Sequence, residues 1–120
     1  MKWFARQKRA DIWDEAIETP LGDIEAAARI RAICDAAAQS AAGCARSDKG
    51  DSARYERAAK VAMEIAMKIS DGLMRDDAVH RIVNLCMTAN DLKTARILFR
   101  AIHTSWIREV AQRDHPALVQ

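Results

Sequence analysis

Residues 76–106 read DDAVHRIVNLCMTANDLKTARILFRAIHTSW. Before Asn90, Val79, Ile82, Val83, Cys86 and Ala89 recur at threes and fours; after Asp91, Leu92, Ala95, Phe99, Ile102 and Trp106 do the same. That spacing puts each set on one face of a helix. The polar ends fit. Asp76 or Asp77 can accept from the free amides that open the first helix, and Asp91 can do so for the second. Asn90 tolerates the left-handed conformation that ends a helix, and Asp77 with Arg81, four apart, adds an exposed pair. Two helices joined by so short a turn lie antiparallel with their stripes facing. The stretch reads as a helical hairpin.

The hairpin resembles a tetratricopeptide-type repeat at Ala78, Val79, Ile82 and Cys86, at Asn90-Asp91-Leu92, and at Ala95 and Phe99. In that family the turn is usually Gly-Asp followed by an aromatic residue or Leu. A small residue then lets the second helix close on the first, and a large one fills the groove. Three departures stand out: Val83 where the family carries Gly or Ala, Ile102 where it carries Ala, and no closing proline. The resemblance covers about a quarter of the chain. It implies a solenoid-like hairpin stack that binds other proteins in a groove between helices.

Outward from the hairpin, the same periodicity predicts three more helices. The first spans 3–18, with Trp3, Ala10, Trp13 and Ile17 on one side, and Thr19-Pro20-Leu21-Gly22 breaks it. Asp23 caps the second, over 24–44, and Gly43 marks its fraying end. A polar loop, Arg46–Ser52, precedes the third, over 53–69, and Ser70-Asp71-Gly72 ends that one. The last helix of the hairpin is expected to run from 92 to about 113, stopped by His115-Pro116, with a loose tail from about 114. The fold class is therefore all-α: about five antiparallel helices in a solenoid-like bundle, one domain over 1–120. The core should rest on Trp3, Trp13, Leu73, Phe99, Trp106 and the Met and Ile set, because alanine, about one residue in five, buries little area. An echo, Leu21-Gly22-Asp23-Ile24 against Ala89-Asn90-Asp91-Leu92, lies 68 residues apart (91 − 23), about twice the tetratricopeptide period. Counting one period back from Asn90 lands on Glu56, inside a predicted helix, so three repeats are not read.

Composition narrows the function classes. Half the residues are apolar and 30% charged, as in an ordinary folded chain. A net charge of +2 does not by itself imply nucleic acid. Cys34, Cys44 and Cys86 are odd in number and lack metal-ligand spacing, so neither a disulfide framework nor a zinc site is expected. No run is long enough for a signal peptide or a membrane span. The expectation is a reduced, cytoplasmic protein without membrane insertion.

No catalytic, cofactor or metal site is expected. His80, His103 and His115 form no paired ligand motif, and nucleophile elbows, phosphate loops and dinucleotide glycine motifs are absent. Asp76, Asp77 and His80 cluster, but a helix cap and an exposed pair account for them. Cys86 lies in the apolar stripe, where a thiol acts as a small hydrophobe. Two surfaces stand out for binding. Lys93, Arg96, Arg100 and His103 recur at threes and fours as a basic stripe, open to an acidic peptide or a phosphate backbone. Trp3 and Phe4, with Ile97, Ile107 and Val110 off the main stripe of the last helix, are the candidates for self-association, as a homodimer of the terminal helices. A membrane anchor at Lys2, Arg6, Lys8 and Arg9 is opposed by Asp11, Asp14 and Glu15.

The leading expectation is a small protein-interaction module, an adaptor or regulator that binds a protein partner or itself. The alternative is a nucleic-acid-binding regulator that uses the basic stripe. An enzyme is not expected.

Overall fold

The computed structural model describes residues 11–120. Five helices carry it: α1 (Asp23–Ala45), α2 (Lys49–Ala66), α3 (Gly72–Thr88), α4 (Leu92–Arg100) and α5 (Ser105–Asp114). Among the described residues there is no strand. The chain is all-α.

The two hairpins turn by the same device. At the end of α1, Ser47 takes a positive φ of 68°, and the Asp48 amide donates back to the Gly43 carbonyl at 3.0 Å. At the end of α3, Asn90 takes 61°, and the Asp91 amide donates to the Cys86 carbonyl at 2.9 Å. Each aspartate then caps the next helix: Asp48 accepts from the Asp51 amide at 2.9 Å and Asp91 from the Thr94 amide at 3.2 Å. A left-handed residue followed by Asp closes one helix and opens another. The true internal echo is therefore Ser47-Asp48 with Asn90-Asp91. Gly22-Asp23 opens α1 and Asn90-Asp91 opens α4, so the echo read from sequence joined two different places in the fold.

Each helix packs on its neighbours in turn. α1 contacts α2 and α3; α3 also contacts α2, α4 and α5. The core between them holds Ile30, Ile33, Tyr55, Ile65, Val79, Ile82, Val83, Cys86, Leu98, Phe99, Ile102 and Ile107, interleaved with buried alanines that let the helices approach closely. α1 must approach α2 especially closely at Gly43. A Cβ there would stand 2.7 Å from the Cβ of Asp51. Gly43 is thus a packing residue inside α1, and the helix continues to Ala45.

Four sequence expectations need correction. A helix over 3–18 does not extend into the described residues. Only a 3-10 turn, Ile12–Asp14, forms, and residues 15–22 run as an irregular strap over the α1–α2 hairpin. Residues 1–10, with Trp3 and Phe4, lie outside the described residues. Trp13 anchors the strap, buried under the Arg54 guanidinium at 5.3 Å. Second, α2 begins at Lys49, because capping by Asp48 recruits residues 49–52 into its first turn despite Gly50. Third, the last helix is two helices: α4 stops at Arg100 and α5 restarts at Ser105. The four-residue break rotates the apolar register, so Ile107 and Ala111 go inside while Trp106 goes outside, at 58% exposure. Trp106 and Leu73 are not core; Phe99 is. Fourth, the tail is tied down. A 3-10 turn, Pro116–Val119, buries Leu118, and Arg96 donates to the Ala117 carbonyl through Nε and Nη2, at 3.2 and 3.0 Å.

Candidate interaction surfaces

Two buried or half-buried carboxylates set the geometry of one edge. Asp23, the first residue of α1, accepts from the amides of Ser70 and Asp71 through its two oxygens, both at 2.9 Å. Asp71 in turn caps α3, accepting from the Met74 amide at 2.8 Å. Asp76, in the second turn of α3, accepts through Oδ2 from the His103 amide at 3.0 Å, the Thr104 amide at 2.8 Å and the Thr104 hydroxyl at 2.7 Å. Thr104 is the N-cap of α5. Each carboxylate thereby ties its own helix to the start of the next helix running the same way. α1, α3 and α5 run parallel; α1 and α3 start level, and α5 starts beside the second turn of α3. At the other end of α5, the His115 ring meets Asn84 of α3 at 2.8 Å, which keeps those two helices parallel.

Asp76 is only 2% exposed. Burial alone would raise its pKa, but the Thr104 hydroxyl and the two amides outweigh it, and the carboxyl titrates below its ordinary range. Its Oδ1 has no hydrogen-bond partner among the described residues; the Arg75 guanidinium stands 3.9 Å away. Neighbouring His80 has its pKa lowered, first by burial, and its Nε2 is likewise unpartnered among them. Of the cluster noted at Asp76, Asp77 and His80, Asp76 braces α3 to the start of α5 and leaves the capping of α3 to Asp71, while Asp77 pairs with Arg81 at 3.6 Å, as the spacing implied.

Three large apolar side chains stand exposed near these helix starts. Ile24, Leu73 and Trp106 are each the second residue of their helix. They are 78%, 50% and 58% exposed. None of the three belongs to the core cluster. One apolar residue on a surface is ordinary; here three parallel helices each leave a large one exposed at their second position.

The sequence-derived candidates are distributed differently. Lys93, Arg100 and His103 are exposed, but Arg96 is spent on the tail, and His103 lies beyond the end of α4. The four do not form one helical stripe. Ile97 is exposed, Val110 half-buried, and Ile107 is 1% exposed within the core, so Ile107 is closed to a second copy.

The opposite edge is held by Tyr55, whose hydroxyl donates to Asp91 Oδ2 at 2.7 Å. Burial drives the Tyr55 pKa well above the usual phenol range. Burial also pushes the Cys86 thiol up to about 11 and the Cys34 thiol to about 12, so both stay protonated and unreactive near neutrality. All three cysteines are free. A cavity of about 450 Å³ opens between the strap, at Ile17–Leu21, and Ala26, Val61, Ile65 and Lys68. Among the described residues no three potential ligand side chains gather as a metal set, and no helix is long and apolar enough to cross a membrane.

Comparison of the chain with protein-family models, curated proteins and solved structures returns no match.

Proposed function

We propose that the protein is a small helical interaction module, an adaptor or regulator that binds a protein partner. One observation carries the reading: Ile24, Leu73 and Trp106 stand exposed at equivalent positions of three parallel helices, while the core beneath is closed. Large apolar side chains left exposed on several helices fit protein recognition better than catalysis. The nearest-neighbour stacking of two hairpins and a following helix supports the solenoid-like, tetratricopeptide-like reading of the chain. Three free cysteines suit a reducing compartment, and we take the protein to be cytoplasmic.

The nucleic-acid alternative has a smaller footing. It would rest on Lys93, Arg100 and His103, since Arg96 is engaged by Ala117. A homodimer would draw on Ile97 and Val110 without Ile107. The separating experiment is affinity capture from the native host, with the partner identified, beside a salt titration of binding to random duplex. A purified partner that binds directly at physiological salt supports the module. Duplex binding that weakens steeply with salt, with no protein partner, contradicts it.

A further inference from the structure

A groove of about 320 Å³ lies between α2 and the start of α4, with Tyr55, Met63 and Met67 as its apolar floor. Met67 is 57% exposed and Met63 half-buried. Glu56 and Glu64 stand exposed on the rim with Lys60 between them, and among the described residues no ion pair engages any of the three. Asp91, on the α4 side, adds no open charge, because its two oxygens already accept from the Tyr55 hydroxyl and the Thr94 amide. We propose that residues 1–10 of this chain occupy the groove, with Trp3 against Met63 and Met67 and basic side chains beside Glu56 and Glu64. None of Ile24, Leu73 or Trp106, which carry the interaction-module reading, lines this groove.

Charge, side-chain chemistry and reach all favour this occupant. Residues 1–10 read MKWFARQKRA, with Lys2, Arg6, Lys8 and Arg9 and no acid. The whole chain carries +2, so residues 11–120 carry −2 (+2 less +4). A cationic segment is thus drawn to the body of its own chain, and on this rim it meets two carboxylates against one ammonium. Methionine adapts its shape and makes favourable sulfur–aromatic contacts, so a floor of two such side chains suits Trp3 and Phe4.

The described chain starts at Asp11, held to Arg54 of α2 at 2.6 Å. Trp3 precedes it by eight residues (11 − 3), a reach of roughly 26 Å when extended. Met67, at the far end of the floor, lies thirteen residues along α2 from Arg54 (67 − 54), a rise of about 20 Å on a helix about 10–12 Å across. The segment is therefore long enough. So short a tether gives an effective concentration on the order of mM, well above that of a second copy at micromolar concentration.

The test uses the full chain with 5-fluorotryptophan incorporated and the Trp3 resonance assigned by its loss in Trp3→Phe. The expected change in fluorine shift between H₂O and D₂O is less than half that of exposed Trp106, and the same across a tenfold dilution. In Met67→Asp, and in Glu56→Lys combined with Glu64→Lys, the Trp3 change should rise to that of Trp106. These three positions are exposed, so the variants keep the fold, and an unmoved resonance of buried Trp13 verifies that. Three results would overturn the proposal: a wild-type Trp3 as solvent-sensitive as Trp106, cover that persists in either variant, or cover lost on dilution, which would make the occupant a second copy's segment.

Discussion

Asp76 of α3 grips Thr104, the residue that caps α5, by its amide at 2.8 Å and its hydroxyl at 2.7 Å. Asp23 of α1 grips Asp71, the cap of α3, by its amide at 2.9 Å. In both places a carboxylate of one helix binds the amide of the residue that caps the next parallel helix, Asp23 from the first position of α1 and Asp76 from the second turn of α3. A buried carboxylate that accepts two amides and a hydroxyl fixes where the next helix begins, and with it which side chain stands second in that helix. The outward position of Trp106 follows from this placement.

Asp76→Ala should cost about 3 kcal/mol, because three donors lose a charged acceptor in a site closed to water. Asp76→Asn, which retains one acceptor oxygen, should cost less. Urea denaturation of the two variants against wild type measures both.

The same carboxylate gives the protein an acid limb. Its folded pKa lies below the unfolded value, so the stability it lends is present above about pH 4 and is lost as pH falls through the folded pKa. Unfolding midpoints followed from neutral pH down to about pH 3 should fall less steeply in Asp76→Asn than in wild type. Equal slopes would take Asp76 out of the acid response.

Phe99 and Trp106 should part company on truncation. Phe99 is 3% exposed with the Arg108 guanidinium 4.4 Å over its ring, and Phe99→Ala should cost about 3–5 kcal/mol. Trp106→Ala should move stability by no more than about 0.5 kcal/mol. Denaturant midpoints of the two variants check the contrast.

Much of the fold was legible in local patterns, and what escaped was set by distant residues. The stripe Val79-Ile82-Val83-Cys86 and the Asn90-Asp91 turn describe α3 and the start of α4 correctly, since cap, turn and periodicity agree there. The break at 101–104 contains neither Gly nor Pro. It is held open by Asp76, far back in the chain, and a continuous 92–106 stripe therefore put Trp106 inside. Residues 11–18 carry helical spacing, yet Trp13 fastens them as a strap, with Asp11 paired to Arg54 and Asp14 to Arg57. The Ser47-Asp48 turn could have been found by matching it to Asn90-Asp91, had serine been allowed the left-handed place. The exposure of Trp106 was hidden for the same reason, because the register of α5 is set by Asp76 reaching across from α3.

Gly43→Ala should destabilise by about 1–3 kcal/mol, because the new methyl overlaps the Asp51 side chain down to its Cβ and α2 must shift away. Gly72→Ala is the control: nothing lies within 4 Å of its added Cβ. Thermal midpoints of the pair decide it.

The second residues of α1, α3 and α5 stand open to solvent in the free protein, and Trp106 reports on this most directly. With 5-fluorotryptophan incorporated, the Trp106 resonance, assigned by its loss in Trp106→Phe, should show a large change in fluorine shift between H₂O and D₂O at micromolar concentration. The buried Trp13 resonance should show almost none. A Trp106 resonance as insensitive to solvent as that of Trp13 would mean that Trp106 is covered, and would contradict its place on the outside of α5.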